Sequence, residues 1–233
     1  MGNSLRTSGI GIREVLITML KYPPTLHVNI GNECFWNLVR TGGELVNYWE
    51  TMGYLIGRRC RNVIDVVNLS PIHTAAKGTR SVSYGNTAAR KRYKIINDAI
   101  TQIAERRGKQ GYKLIGQFHC HAGPSEEYEI GLNEKDDLGF IEDELQDFGM
   151  YEWLEIITFT NMRKYTRRRG VEEELKVYPR RLKIIVRNEY FGFHTRIAGF
   201  WIYKDSEYKK QGRIRPRFRC KEIPVRFPSW RSQ

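Results

Sequence analysis

The sequence predicts an α/β or α+β domain of three layers, with a mixed sheet flanked by helices. Three observations lead there. Short apolar runs such as Leu26 to Ile30 and Val63 to Leu69 alternate with polar residues or end in Gly and Pro, which reads as strands. Between such runs lie stretches of helical periodicity, Tyr93-Ile96-Ile100-Ile103 and Leu138-Ile141-Leu145. The chain has 233 residues, 40% hydrophobic and 28% charged, which suffices to bury a real core and is unlike a disordered composition.

Taken in order, Ile10 to Leu20 reads as a short amphipathic helix closed by Pro23-Pro24, so residues 1–24 are an extension before the domain. Leu26 to Ile30 is a strand with His27 on its polar, surface phase. Asn32 is a helix N-cap, Phe35, Leu38 and Val39 follow at helical spacing, and Gly42-Gly43 interrupts before Glu44 to Trp49 resumes. Thr51 to Gly57 is an apolar strand with glycines where backbones approach closely. Arg58 to Asn62 is a turn, Val63 to Leu69 a strand closed by Ser70-Pro71, and His73 lies in the loop beyond.

A basic helix from about Ala88 to Arg107 sets Tyr93, Ile96, Ile100 and Ile103 against one face of the sheet. Tyr112 to His121 is the next strand. Asn133-Glu134-Lys135-Asp136 opens the helix that carries Leu138, Ile141 and Leu145. Trp153 to Thr160 is a buried strand, Leu182 to Val186 and Ile197 to Tyr203 are two more, and His194 falls in the turn between them.

Charge is unevenly placed. The net charge is +13, yet residues 126–147 hold ten acids and one base, whereas residues 204–233 hold ten Lys or Arg and three acids. High overall basicity is therefore a weak argument for nucleic acid binding. No run is long and apolar enough for a membrane span, and no leader is expected. Cys34, Cys60, Cys120 and Cys220 show no paired spacing, the expectation for reduced thiols in a cytoplasmic protein.

The chemistry centres on Gln117-Phe118-His119-Cys120-His121. On a strand, His119 and His121 share one face and Cys120 the other, so two imidazoles offer half of a tetrahedral zinc site. A catalytic zinc takes three protein ligands and keeps one position open. The third candidate is a carboxylate at the start of the following helix, Asp136 or Asp137, which lie roughly 100° apart so that only one can face the metal. Zinc lowers the pKa of its water to about 7, and a carboxylate must still carry the proton, for which Glu50 is the candidate.

These stretches resemble the JAMM metalloproteases, also called JAB or MPN domains. Glu50-Thr51-Met52-Gly53-Tyr54-Leu55-Ile56-Gly57 is similar to that family's "E-x-x-G-x-L-x-G". Ile115 to His121 is similar to its "V-G-W-Y-H-S-H", and Leu132 to Asp136 to its closing "S-x-x-D", in the same order and over roughly Leu26 to Thr160. The resemblance implies the JAB/MPN, cytidine-deaminase-like architecture over residues 25–204, with a basic C-terminal tail at 205–233. It implies a zinc-dependent isopeptidase that hydrolyses the bond after the C-terminus of a ubiquitin-like protein. One zinc would be held by His119, His121 and Asp136, with Glu50 activating the water. Some members of the family are inactive scaffolds.

Two departures stand out. The connection from His121 to Asn133 is longer than the family's, and Asn133 replaces the serine that helps stabilise the tetrahedral intermediate. Asn133 is both an N-cap residue and an amide able to donate to an oxyanion. Ser125 lies within the longer connection. Asp136 keeps the family spacing while Asp137 directly precedes a leucine, and Asp136 is preferred. In the tail, Arg213, Arg215, Arg217 and Arg219 alternate, so an extended chain would set four guanidinium groups on one side, towards phosphate or an acidic protein. The competing readings are a scaffold that binds without cleaving, and a nucleic-acid-binding protein acting through this tail with structural zinc.

Overall fold

The computed structural model describes residues 25–44, 51–72, 75–77, 82–84, 87–106, 112–122, 132, 137–167, 170, 172–210 and 213–226. Among these, β1 (His27–Ile30) runs parallel to β3 (Val63–Pro71), which forms a hairpin with β2 (Thr51–Cys60). The hairpin closes at Cys60 opposite Val63, leaving Arg61-Asn62 as its loop, with Arg61 at φ 53°. The turn expected over 58–62 is thus narrower, because the strand pairing continues through Arg58 and Arg59.

The short strands β4 (Ala75–Lys77) and β5 (Val82–Tyr84) pair separately. β6 (Lys113–Ala122) lies antiparallel to β2 and parallel to β7 (Glu152–Lys164). β7 pairs with the long β10 (Phe191–Lys210), whose other side is shared by β9 (Arg181–Arg187) and β11 (Arg213–Ile223). β8 (Glu172–Val177) completes that end beside β9. β12 (Val225–Arg226), directly after β11, lies parallel to β1. The last described strand in sequence therefore lies beside the first, and residues 213–226 pair with β10 through β11 and with β1 through β12.

The sheet is covered on both faces, as a helix–sheet–helix arrangement requires. On one face, α1 (Asn32–Glu44) buries Cys34, Phe35, Leu38, Val39 and Gly42 against Leu55, Phe118, Leu154, Ile156 and Trp201. Phe35 and Leu38 are completely buried, and each such side chain is worth about 1.5–3 kcal/mol. On the other face, α3 (Asp137–Phe148) packs Ile141 and Leu145 with Trp153, Ile157 and Phe159. α3 ends in a Schellman motif: Met150 N–H donates to Leu145 and Gly149, at φ 64°, donates to Gln146. A mixed α+β class follows, with α2 (Thr87–Arg106) as the third described helix.

Several local expectations are corrected. α1 runs unbroken through Gly42-Gly43; the glycine is there because a Cβ at position 42 would come 2.6 Å from Thr160 Oγ1. Asn32 is the first residue of the helix and not its cap, since Gly31 accepts the first bond, from Phe35 N–H. His27 is buried, with its ring turned back onto Thr25 O at 3.1 Å rather than out to solvent. His194 sits on β10 opposite Asn161 and Ile185; the turn is at Asn188, whose side chain accepts from the backbone of Tyr190 and Phe191.

The largest correction concerns α2. Its isoleucines 96, 100 and 103 are 58%, 58% and 50% exposed, whereas Tyr93 meets the sheet, stacked on Tyr54 at 4.2 Å. Periodicity shows that a helix has an apolar side; it does not show what lies beneath that side. Residues 213–226, expected as part of a tail, are two strands of the sheet. Ile223 and Val225 are buried in the α1-side core. Residues 1–24 and His73 lie outside the described residues.

Candidate metal centre

Strand alternation decides which way the histidines point. Phe118 and Cys120 turn into the α1-side core, where Thr158 Oγ1 donates to Cys120 Sγ at 2.7 Å. His119 and His121 turn to the opposite face, beside Ile157 and Phe159, their neighbours on β7. The two rings meet edge to face, with Nε2 of His119 2.9 Å from Nε2 of His121. Met52 stands across from His119 on β2.

Glu155 fixes one of these rings. It lies on β7 opposite Gln117, is completely buried, and its Oε1 accepts from His119 Nδ1 at 2.6 Å. Burial pushes the Glu155 carboxyl above the ordinary carboxylate range, while hydrogen bonds from His119, Gln117 and Trp153 pull it back. With Nδ1–H committed to Glu155, the Nε2 lone pair of His119 faces His121. A carboxylate on the far nitrogen of a histidine is how metal-binding imidazoles are oriented and made more basic.

Two imidazole nitrogens are half of a tetrahedral zinc donor set. Two nitrogens on a tetrahedral ion with bonds of about 2.0–2.1 Å must stand about 3.3–3.4 Å apart. The observed 2.9 Å is within a small rotation of that. Among the described residues, no group of three or more His, Cys, Asp or Glu assembles that would complete such a site. Glu50, Asn133, Asp136 and Ser125 lie outside the described residues. Glu50 immediately precedes Thr51, the first residue of β2, which is paired with Cys120. Asp137 is the first residue of α3. Arg213, Arg215, Arg217 and Arg219 lie on β11, remote in the pairing order from β6.

Glu155 is the residue of this centre that neither motif nor spacing singles out. Its signal is one carboxylate within Trp153-Leu154-Glu155-Ile156-Ile157, on the same alternation phase as the buried Trp153 and Ile157. Such a residue needs a buried partner. The strand that supplies it lies across a helix in the sequence.

No family model matches the chain, and no curated protein matches it. Among solved structures, the chain is similar to the solution structure of protein DSY2949 from Desulfitobacterium hafniense. The identity is 13% over 86% of this chain and 92% of that one, with a TM-score of 0.39.

Proposed function

We propose that the chain is a JAMM-type zinc metallo-isopeptidase with the JAB/MPN architecture, acting on the amide bond that follows the C-terminus of a ubiquitin-like protein. The observation that carries this reading is the convergence of His119 and His121 through their Nε2 atoms, with His119 backed by the buried Glu155. A pair of ordinary surface histidines has no need of a desolvated carboxylate. The order of elements also supports it: the glutamate before β2, the β2–β3 hairpin, a helix, the histidine strand β6, then the helix α3, which begins at Asp137.

In this reading His119, His121 and Asp136 hold the zinc, with Asp137 as the alternative third ligand. Zinc bound there would supply a Lewis acid and a source of hydroxide at neutral pH. The protein's own residues do the rest. Met52 and Ile157, the strand neighbours of His119, are buried and apolar and have no proton to exchange. By the resemblance, Glu50 is the residue assigned to carry a proton to the leaving amine. Asn133 is assigned to donate a hydrogen bond to the developing oxyanion. Glu155 holds the His119 ring in one tautomer and one orientation.

Elemental analysis tests the metal. One zinc per chain in the wild type, lost in a His119→Ala, His121→Ala variant that remains folded, is the expected result. A folded wild type that takes up no zinc when supplied with it overturns the reading. Glu50→Gln separates enzyme from scaffold: it should keep the zinc and lose cleavage of a ubiquitin-like fusion that the wild type cuts.

A further inference from the structure

β10 outruns its neighbour. Its pairing with β7 ends at Tyr203 opposite Glu152, and from Lys204 to Lys210 it pairs with β11 alone. The end of β10 and the start of β11 therefore form a two-stranded ribbon beyond the edge of the sheet, exposed over residues 205–209 and at Ile214, Arg215, Arg217 and Arg219. Its base is fastened by Lys204, which lies 4.8 Å over the Tyr151 ring and pairs with Glu207.

Residues directly opposite across an antiparallel pair share a face. Arg215 stands opposite Tyr208 and Arg217 opposite Ser206, and the Arg217 guanidinium lies 5.7 Å over the Tyr208 ring. Arg219 continues the same side and holds Asp205 at 3.0 Å, at the bulge. Glu207 stands opposite Pro216, on the other side, where Lys204 engages it. The ribbon's two carboxylates are thus turned to Arg219 and Lys204, and one face is an arginine row.

We propose that this ribbon docks on B-form duplex DNA through Arg215 and Arg217, the arginines of the row that no carboxylate of the ribbon neutralises. Alternate residues of an antiparallel strand stand about 6.8 Å apart, twice the roughly 3.4 Å axial spacing of phosphates along one DNA strand. A major groove about 12 Å wide admits a two-stranded ribbon, whereas the major groove of duplex RNA is too deep and narrow. Single strands are held on rows of free aromatic faces. Here the arginine face carries Tyr208, and Arg217 already stacks on it. The ribbon is independent of the metal centre, which lies on β6, separated from β10 by β7.

The test is fluorescence anisotropy of a labelled short DNA duplex with the full chain across a salt series. Two phosphate contacts give a log–log slope of about −1.8, so affinity should fall about 12-fold between roughly 50 and 200 mM salt. An Arg215→Gln, Arg217→Gln variant loses both contacts, and its affinity should change less than about 2-fold over the same range. Both side chains are exposed, so the variant should keep the wild-type urea midpoint. Three results each overturn the proposal: no binding at the lowest salt, an unchanged slope in the variant, or single-stranded DNA or duplex RNA bound as tightly as duplex DNA.

Discussion

Exchanging Glu155 for Gln isolates the charge that stands behind His119. The substitution keeps size and leaves a carbonyl oxygen to accept from Nδ1, so the 2.6 Å contact persists without its charge. Hydrogen bonds to charged groups contribute about 1.5–3 kcal/mol and neutral ones about 0.5–1.5. The difference of roughly 1–1.5 kcal/mol corresponds to about a tenfold weaker zinc Kd, the lower end of what losing a metal ligand's supporting partner does. The metal-free protein should respond differently. A buried carboxylate is itself expensive, but in Glu155→Gln the amide nitrogen faces the Trp153 Nε1–H that donates to Oε2, so the metal-free protein should lose about 1 kcal/mol. Glu155→Ala, which strands the Nδ1–H of His119, should cost about 1–3 kcal/mol. Competition against a chromogenic chelator reads the first effect and urea unfolding of chelator-treated protein the second. Unchanged zinc affinity in a folded Glu155→Gln variant would show that the carboxylate serves packing alone.

Two further predictions concern stability. At Gly116 a Cβ would stand 1.8 Å from the Leu154 carbonyl oxygen, so Gly116→Ala must part β6 from β7 and should lose at least about 3 kcal/mol, the top of the overpacking range. At Gly139 a Cβ meets nothing within 4 Å, and Gly139→Ala in α3 should gain about 0.5–1 kcal/mol; thermal unfolding that ranks the two the other way would refute this account of the glycines. Burial holds His194 below its ordinary pKa of 6.5, helped by Arg163, Lys183 and Arg187 and opposed by Glu174, and its ring nitrogens find no hydrogen-bond partner among the described residues. The unfolded chain then binds more protons, so stability is full above pH 6.5 and is lost as pH falls through the folded pKa. His194→Leu should flatten urea-midpoint curves between about pH 7.5 and 5.5 relative to wild type, and identical curves would exclude His194 as their source.

What can be read from the sequence is local. Alternation places β6 and its two histidines on one face, and helical spacing finds Leu138, Ile141 and Leu145 of α3. The same spacing describes α2 well and its surroundings badly, because a stripe of isoleucines is identical in sequence whether a sheet covers it or not. His27 misleads for a related reason: alternation assigns its phase to a wet face, yet its ring is folded back onto Thr25 and buried. Glu155 is illegible because its meaning comes from Gln117 and His119, brought beside it by a parallel pairing across α3. The arginine alternation at 213–219 is a strand signature; what the sequence withholds is the partner, β10, on which it lies.

The meeting of β12 with β1 sets a condition on how this chain becomes a protein. Val28 and Val225 are neighbours in the sheet yet about 200 residues apart along the chain, a separation that loop-closure entropy makes late and slow. During synthesis β1 can pair with β3 long before β12 emerges, so its outer edge lacks that partner until residue 226 has been made. An open strand edge is a template for another chain. Aggregation of this protein should therefore begin with ribosome-bound or C-terminally clipped molecules, and it should fall steeply once the last dozen described residues have closed the seam.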